Sequence, residues 1–524
     1  MTGSSRSNLR TRGSLAASTW TALILVVTSL IGLKVVNPSD LKLLGGGSAL
    51  ILFSLIALAV FQQLSYAIRS RDRLLTGAIW IVTVVSAVKT ACLLLITGFD
   101  FDVFHFLSWA IRIADVGPGR YYQPGHLLAY TPGYLYVLWI PGALSRALGE
   151  GGRILVRMPP VFADAVLALV VLAFVRRSSQ RGFALAAMLM VALNPALVFD
   201  TVVWGQNDSV FALAAWLSAV TILARKSDLA WGLAAISILI DPLGLILLSV
   251  LALWMLAVGD RALLWRSLGV ALAILLIGLV PFQLGHPLNW ILDSSLSSMA
   301  AYRRETVVYA FNFATLFGGL KPTGAGTLAG IPYFPVEVIS LTSTFGFAAF
   351  YVYHLRSASA FFYSVFLMTF GYFLFAQWMY PHYLFLSIVV AVPLALESAE
   401  MMLVFSILTL TCLFNLAYVV HVLAGGQQLG VRDELSMICA MLNVLAFIAA
   451  VHFAVKSART GSVRVDSLIP KDPKGAKDGV DVVWWSVVGW KKQRRATMPK
   501  SHARDGITGG KFPSRCARDA VRSS

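Results

Sequence analysis

The sequence predicts an all-α polytopic membrane protein, and two features lead to that prediction. Hydrophobic residues make up 58% of the 524 positions, and charged residues only 13%. This apolar excess is larger than one water-facing fold can bury. The apolar runs are also long and continuous, as spanning helices require, and they lack the period-two alternation of an outer-membrane barrel.

The apolar runs predict about fourteen transmembrane helices. In chain order they lie near residues 16–36, 47–67, 74–97, 159–175, 182–200, 208–224, 229–241, 243–257, 262–282, 335–355, 359–377, 383–398, 401–424 and 435–455. The first run follows a basic segment but has no small-residue cleavage site, so we expect it to be retained. The run 134–144 is interpreted as an interfacial helix, because counting it as a span would move every later basic cluster to the other side.

Positive charge predicts the orientation of these helices. The formal net charge is +17, and residues 456–524 carry 16 Lys and Arg against 6 Asp and Glu. A basic tail beside a last span marks the cytoplasmic side and binds anionic lipids, which explains the charge better than nucleic-acid binding. With both termini cytoplasmic, the basic clusters near residues 69–73, 176–181, 225–226 and 261–266 also fall on that face.

These assignments divide the chain into successive segments. They are a cytoplasmic basic N-terminus (1–15), N-terminal transmembrane helices (16–97), an extracytoplasmic loop with interfacial helices (98–158), a central transmembrane bundle (159–282), a second extracytoplasmic loop (283–334), C-terminal transmembrane helices (335–455) and a partly disordered basic cytoplasmic tail (456–524).

Polar and helix-breaking residues gather on the extracytoplasmic side in this topology. They lie in the loop 98–157, the WGQND segment 204–208, the break at 240–242, the loop 285–332 and the turn 380–382. Segments far apart in sequence that converge on one membrane face predict a cavity built at helix ends.

Several carboxylates are candidates for that cavity, and each has a structural alternative. Asp100 and Asp102 lie at a membrane–water interface, where either is a functional group or the N-cap of the helix that begins near residue 103. Asp208 is either a site residue or an exposed N-cap. Asp164, inside a span, requires either a structural partner or a cavity, and Asp241 before a proline either lines the site or breaks a helical hairpin.

A series of motifs follows Asp102. These are Phe106 and Trp109, then Gly117, the Tyr121-Tyr122 pair, TPGYLYVLW at 131–139, Asp164, LNPALVFDTVVWGQNDSV at 193–210 and AFN at 310–312. This order and spacing resemble the GT-C superfamily of integral-membrane glycosyltransferases, in the mannosyltransferase branch related to the second GPI mannosyltransferase and its bacterial relatives. The resemblance covers roughly residues 95–396, and the WGQxDS string is its most specific part.

The resemblance implies an inverting hexosyltransferase, with mannose as the expected sugar. The donor is a polyprenyl-phosphate sugar, the acceptor a glycan or glycolipid, and transfer takes place at the extracytoplasmic face. Asp102 matches the proposed catalytic base of the family, which takes the proton of the acceptor hydroxyl. The substrate-binding candidates are Asp100, Trp109, Tyr121, Tyr122, Tyr130, Trp204, Gln206, Asp208, Arg303, Arg304, Asn312 and His382.

The leaving phosphate determines which cations the proposed chemistry needs. A developing negative charge favours cations, so Arg303 and Arg304 are the first candidates to bind it, with Arg112, Arg120 and His382 in reserve. A lipid monophosphate does not oblige the enzyme to use a divalent metal, and the sequence has no HExxH motif and no clustered Cys/His ligand set. No cofactor is therefore expected, although a divalent metal is compatible with this chemistry. His382 has a structural alternative as an interfacial anchor.

Two other classes of protein remain open. A secondary transporter or lipid flippase would also have about fourteen spans, and Asp164 and the Asp241 break would suit one, although no internal repeat is evident. A non-catalytic partner subunit is the third class, because Ala129, Asp241 and the YPHY string at 380–383 stand where relatives carry other charged residues. The similarity to bacterial relatives favours a bacterial plasma membrane over the endoplasmic reticulum.

Overall fold

The computed structural model describes residues 71–122, 131–148, 151–176, 181–258, 261–283, 308–317, 327–328, 331–424 and 434–460. The chain divides into two units, Met1–Ala476 and Lys477–Ser524, and all described residues belong to the first. The predicted spans near 16–36 and 47–67, the tail beyond residue 460, and the site candidates Tyr130, Arg303 and Arg304 lie outside the described residues.

Helices dominate this part of the chain. They are α1 (Arg71–Leu95), α2 (Asp100–Val116), α3 (Pro132–Leu148), α4 (Gly152–Leu155), α5 (Met158–Val175), α6 (Arg181–Ala192), α7 (Pro195–Val198), α8 (Asp208–Leu223), α9 (Ser227–Ile240), α10 (Gly244–Val258), α11 (Arg261–Gln283), α12 (Tyr333–Leu355), α13 (Ala358–Phe375), α14 (Phe385–Glu397), α15 (Ala399–Ala424) and α16 (Glu434–Thr460). A π-helical segment, Phe199–Trp204, continues α7, and 3₁₀ turns lie at Pro118–Arg120, Phe313–Phe317 and Pro381–Leu384. The short strands β1 (Thr327–Leu328) and β2 (Ile331–Pro332) pair antiparallel.

Eight helical stretches are long and apolar enough to cross a membrane. They are Leu74–Leu95, Gly152–Val175, Gly182–Trp204, Arg261–Gln283, Tyr333–Leu355, Ala358–Phe375, Ala399–Leu423 and Glu434–Arg459. Shorter apolar helices are Asp208–Leu223, Ser227–Ile240, Gly244–Ala257 and Pro381–Glu397. The prediction of an all-α polytopic membrane protein is therefore confirmed, while the total of fourteen spans stays a prediction.

The spanning helices differ in how much apolar surface they bury within the protein. In the most apolar 18 residues of each helix, 83% of the positions are buried in α13, whereas only 17% are buried in α11. α11 exposes Trp265 and Ile277, and α12 exposes Phe334 and Phe350. Large apolar side chains on the outside of a spanning helix are stable in lipid and unfavourable in water. α13 therefore lies in the core, and α11 and α12 expose apolar side chains of the kind that lipid stabilises.

The α2 and α3 helices pack with their backbones in direct contact. A Cβ atom added at Gly142 of α3 would lie only 1.8 Å from the carbonyl oxygen of Ala110 in α2, so the crossing requires glycine. Both helices have 17 residues, and the run 134–144 is part of α3. Its position flat on the membrane stays a prediction. The tight contact fixes α2, whose first turn carries Asp100 and Asp102.

Candidate functional site

The candidate site is centred on Asp102, in the first turn of α2. Its Oδ2 atom accepts two side-chain hydrogen bonds, from the indole N–H of Trp204 at 2.5 Å and from the amide of Gln206 at 2.8 Å. Burial raises the pKa of this carboxyl, and the two hydrogen bonds and the nearby His105 oppose that shift without cancelling it. The structure thus brings Asp102 together with two residues that lie about a hundred positions later in the chain.

The segment that follows α6, residues 194–204, places Trp204 next to α2. Asn194 caps α7, because its Oδ1 accepts the backbone N–H groups of Ala196 and Leu197 at 3.0 and 3.3 Å. The chain then widens into the π-helical turn Phe199–Trp204. Such single π turns inside helices are frequent at functional sites.

Gly205 ends the π turn and starts the loop to α8. Its φ of +93° lies in the left-handed region, and a Cβ there would approach Val103 of α2 to 2.8 Å. The backbone N–H groups of Gly205 and Gln206 both donate to the Asp200 carbonyl, at 2.8 and 3.0 Å. Glycine therefore allows the loop to lie directly against α2, where Gln206 reaches Asp102.

Arg157 links the end of α1 to the π turn by hydrogen bonds. Its guanidinium is buried and donates to the carbonyl oxygens of Leu93 and Ile96 at 3.0 and 2.8 Å, and to that of Val202 at 3.4 Å. These carbonyls lie at a helix end or in the π turn, where backbone acceptors lack regular partners. Arg157 is thus a positioning residue, which the sequence analysis did not single out.

A second group of titratable side chains lies behind Trp204. Asp200, Asp208 and His382 are all buried, and one potential ligand atom from each lies within 4.8 Å of those of the other two. The rings of Trp204 and His382 are in edge contact, with centroids 5.9 Å apart. The structural alternatives of an exposed Asp208 cap and a surface-anchoring His382 are therefore wrong. Within the part of the chain that the structure describes, this is the group suited to holding a metal ion.

Asp164 forms a buried ion pair. Its Oδ2 lies 2.7 Å from the Lys89 ammonium and accepts a hydrogen bond from Thr201 at 2.9 Å. Both charged side chains are almost fully buried. An intramembrane carboxylate requires such a partner, so of the two alternatives left open by the sequence the structural one is supported. Lys89 was not identified from the sequence.

Asp241 lies at the break between α9 and α10. Its Oδ1 accepts the backbone N–H of Leu243 at 2.8 Å, which is the local contact expected where a chain turns before a new helix. This contact fits the hairpin-breaking alternative. Because the charge of Asp241 also acts on Asp208, the site-lining alternative stays open as well.

Other predicted site residues do not join Asp102. Asp100 is exposed and pairs with Arg153 at 2.7 Å. Tyr121 and Tyr122 pack against Phe282 in a separate apolar cluster, and Trp109 packs beside them.

Two further candidates hold local structure. The Nε–H group of Arg112 donates to the Tyr121 carbonyl at 2.9 Å, and its guanidinium lies over the aromatic ring of Tyr121. Asn312 is buried in a turn, where its Oδ1 accepts the Ala314 N–H at 3.1 Å and its amide donates to the Phe373 carbonyl at 3.2 Å. Arg120 ends the short 3₁₀ turn after α2.

No protein-family model matches this sequence, and no curated protein matches it significantly. The resemblance to GT-C glycosyltransferases is therefore untested and stays a prediction.

Proposed function

We propose that this chain is an integral-membrane glycosyltransferase that transfers a hexose, with mannose as the expected sugar, from a polyprenyl-phosphate donor to a glycan or glycolipid acceptor. The observation that carries the proposal is the Asp102 carboxylate, held at the start of α2 by Trp204 and Gln206. Transfer takes place at the extracytoplasmic face, with inversion.

The surroundings of Asp102 suit a general base. A base works best when its pKa is close to the working pH, and burial shifts that of Asp102 upward. Among the described residues, both hydrogen bonds end on Oδ2, so Oδ1 is the oxygen that would accept the acceptor's proton. The acceptor oxygen then forms a bond to C1 of the sugar, and the bond between C1 and the lipid phosphate oxygen breaks. The products are the glycosylated acceptor and polyprenyl phosphate.

The leaving phosphate needs cations close to this carboxylate. Arg112 lies ten residues along α2 from Asp102, which is about 15 Å along a helix axis, and its Nε–H is occupied by the Tyr121 carbonyl. That distance is too long for Arg112 to contact a phosphate that leaves the sugar carbon attacked beside Asp102. Arg303 and Arg304 remain the proposed phosphate-binding residues.

The proposed setting is a bacterial plasma membrane with both termini in the cytoplasm. The proposal counts fourteen spans, which adds residues 16–36, 47–67 and the four shorter apolar helices to the eight long stretches. The α2 and α3 helices lie at the extracytoplasmic surface, and the basic tail binds anionic lipids. A reporter fused after Gly125 tests this arrangement, because a cytoplasmic signal there would invert it.

The decisive experiment compares two neighbouring carboxylates. Protein in nanodiscs is given radiolabelled polyprenyl-phosphate mannose and a membrane-derived glycolipid acceptor, and labelled product is measured. Asp102→Asn should lower the transfer rate roughly 10²–10⁴-fold, the usual contribution of a general base. Asp100→Asn is the matched control and should change it little, because Asp100 is exposed and paired with Arg153.

Several results would contradict the proposal. Full turnover by folded Asp102→Asn would refute the catalytic role of Asp102. Absence of transfer by the wild-type protein across a panel of lipid-linked sugars would refute the enzyme and favour a partner subunit. Movement of labelled lipid across the bilayer without transfer would favour a flippase. That alternative now has less support, because Asp164 is bound to Lys89.

A further inference from the structure

The side chains of Asp200, Asp208 and His382 form a candidate binding site that is separate from Asp102. Its members come from the π-helical turn, the first residue of α8 and the 3₁₀ turn Pro381–Leu384. Their side chains converge so that one ligand atom from each lies within 4.8 Å of the others. The exposed fractions of the three residues are 1%, 4% and 5%. Three segments remote in sequence thus place three donors at one enclosed point.

Four polar atoms of this group have no hydrogen-bond partner among the residues that the structure describes. Both carboxylate oxygens of Asp200, Oδ2 of Asp208 and Nδ1 of His382 are buried and accept or donate no hydrogen bond within the described ranges. A buried polar atom left without a partner costs about 1–3 kcal/mol, and more when it is charged. Four such atoms around one point indicate that a component other than the described residues satisfies them.

The charge of the surroundings indicates the sign of that component. The groups that act electrostatically on Asp200 are Asp208, Asp164 and Asp102, all of them carboxylates. The ammonium group of Lys89 is hydrogen-bonded to Asp164. Buried carboxylates that face each other need a cation or must take up protons. A cation is also the partner that an unprotonated imidazole nitrogen can bind.

The donor set indicates the kind of cation. One imidazole and two carboxylates suit first-row divalent metals, whereas calcium and magnesium favour oxygen donors alone. Zinc binds nitrogen and oxygen donors tetrahedrally at about 2.0–2.2 Å, so its donors lie about 3.3–3.6 Å apart. Atoms within 4.8 Å of one another would close on such an ion with shifts of up to about 1 Å each. We propose that Asp200, Asp208 and His382 bind a divalent transition-metal ion, zinc or manganese, next to Trp204.

This site goes beyond the proposed sugar transfer and does not depend on it, because metal binding can be measured without donor or acceptor. Full-length protein in nanodiscs is stripped with EDTA, incubated with Zn²⁺ or Mn²⁺ and desalted. Retained metal is then measured by mass spectrometry. The wild-type protein should retain about one ion per chain, as expected for one three-residue site. Asp200→Asn, Asp208→Asn and His382→Gln should each lower this at least tenfold.

The matched control is Asp241→Asn. Asp241 is a half-buried carboxylate whose Oδ1 already accepts the Leu243 N–H, and it is outside the group. This variant should retain the metal, and so should Asp102→Asn even if it abolishes transfer. The two proposals can therefore fail separately.

A spectroscopic measurement on the wild-type protein protects the test against variants that do not fold. Electron spin-echo modulation of bound Mn²⁺ should show coupling to one imidazole nitrogen. Absence of retained metal in the wild type, absence of nitrogen coupling, or equal retention by the Asp200, Asp208 and Asp241 variants would each overturn the proposal. In those cases the carboxyls share protons in place of a metal ion.

Discussion

Replacing Lys89 with Met should destabilise the protein far more than replacing Lys89 and Asp164 together. The ammonium nitrogen lies 2.7 Å from Asp164 Oδ2, and the two side chains are 4% and 5% exposed. At an effective dielectric constant of about 20, Coulomb's law gives an attraction of about 6 kcal/mol at this distance. Desolvation of both groups offsets most of that attraction, so the net contribution of the pair is small.

Removing only the lysine leaves the desolvation cost without the attraction. Lys89→Met should therefore lower the free energy of unfolding by about 3–5 kcal/mol. The double variant Lys89→Met/Asp164→Leu should be close to the wild type, because two apolar side chains replace the pair. Thr201 also keeps an acceptor in the double variant, since its hydroxyl is 2.9 Å from the Leu197 carbonyl.

The assay is SDS titration of the protein in mixed micelles, with unfolding followed by tryptophan fluorescence. Lys456→Met is the matched control, because Lys456 pairs with Glu400 at 2.8 Å and both side chains are largely exposed. An exposed pair contributes about 0–1 kcal/mol, so this variant should remain near the wild type. The reasoning is refuted if Lys89→Met is as stable as Lys456→Met, or if the double variant is less stable than Lys89→Met.

Three further predictions concern the segment around Trp204. Gly205→Ala should lower the free energy of unfolding by roughly 1–3 kcal/mol in the same titration, because the residue has φ +93° and its Cβ would approach Val103 to 2.8 Å. An unchanged free energy of unfolding would contradict the close packing. Arg157→Met should destabilise by several kcal/mol, at about 1–3 kcal/mol for each buried carbonyl that loses its donor, and Arg157→Lys should restore part of the loss. Trp204→Phe should raise the pKa of Asp102 further, because the lost indole hydrogen bond stabilised the ionised carboxylate. Infrared difference spectra of the Asp102 carboxyl against Asp102→Asn measure that pKa, and an unchanged or lowered value would show that the bond does not favour the charged form.

The length of the apolar runs was enough to locate the helices, because a spanning helix must satisfy its backbone internally and cover about 30 Å of hydrocarbon. It was not enough to locate breaks within a run. The predicted span 182–200 is in fact α6, α7 and the start of the π turn. Asn194 followed by Pro195 is a readable start signal for a new helix, since one caps and the other lacks the N–H that a helix start does not need.

Side-chain partnerships were harder to predict than helices. Asp102, Trp204 and Gln206 are all among the predicted site residues and contact one another in the structure, but no periodicity links positions a hundred residues apart. Lys89 and Asp164 are single charges in two separate apolar runs, and the expectation that buried charges pair would have suggested the contact. Asp200 was part of the motif string and yet was not singled out, because an apolar run does not reveal toward which side a π turn directs its carboxylate.

In genetic terms, the π-helical segment Phe199–Trp204 amounts to one inserted codon. A π turn has about one residue more than an α turn, so deleting one of the two valines at 202–203 would leave an ordinary helix of the same apolar composition. The same deletion would rotate the following residues by about 100° relative to those before it. Trp204 would leave Asp102, and Asp200 and Asp208 would move apart. A search for chains that share this site should therefore count the residues between Asn194 and Gly205. A chain that lacks one residue in that interval would lose the site even if every aligned side chain were identical.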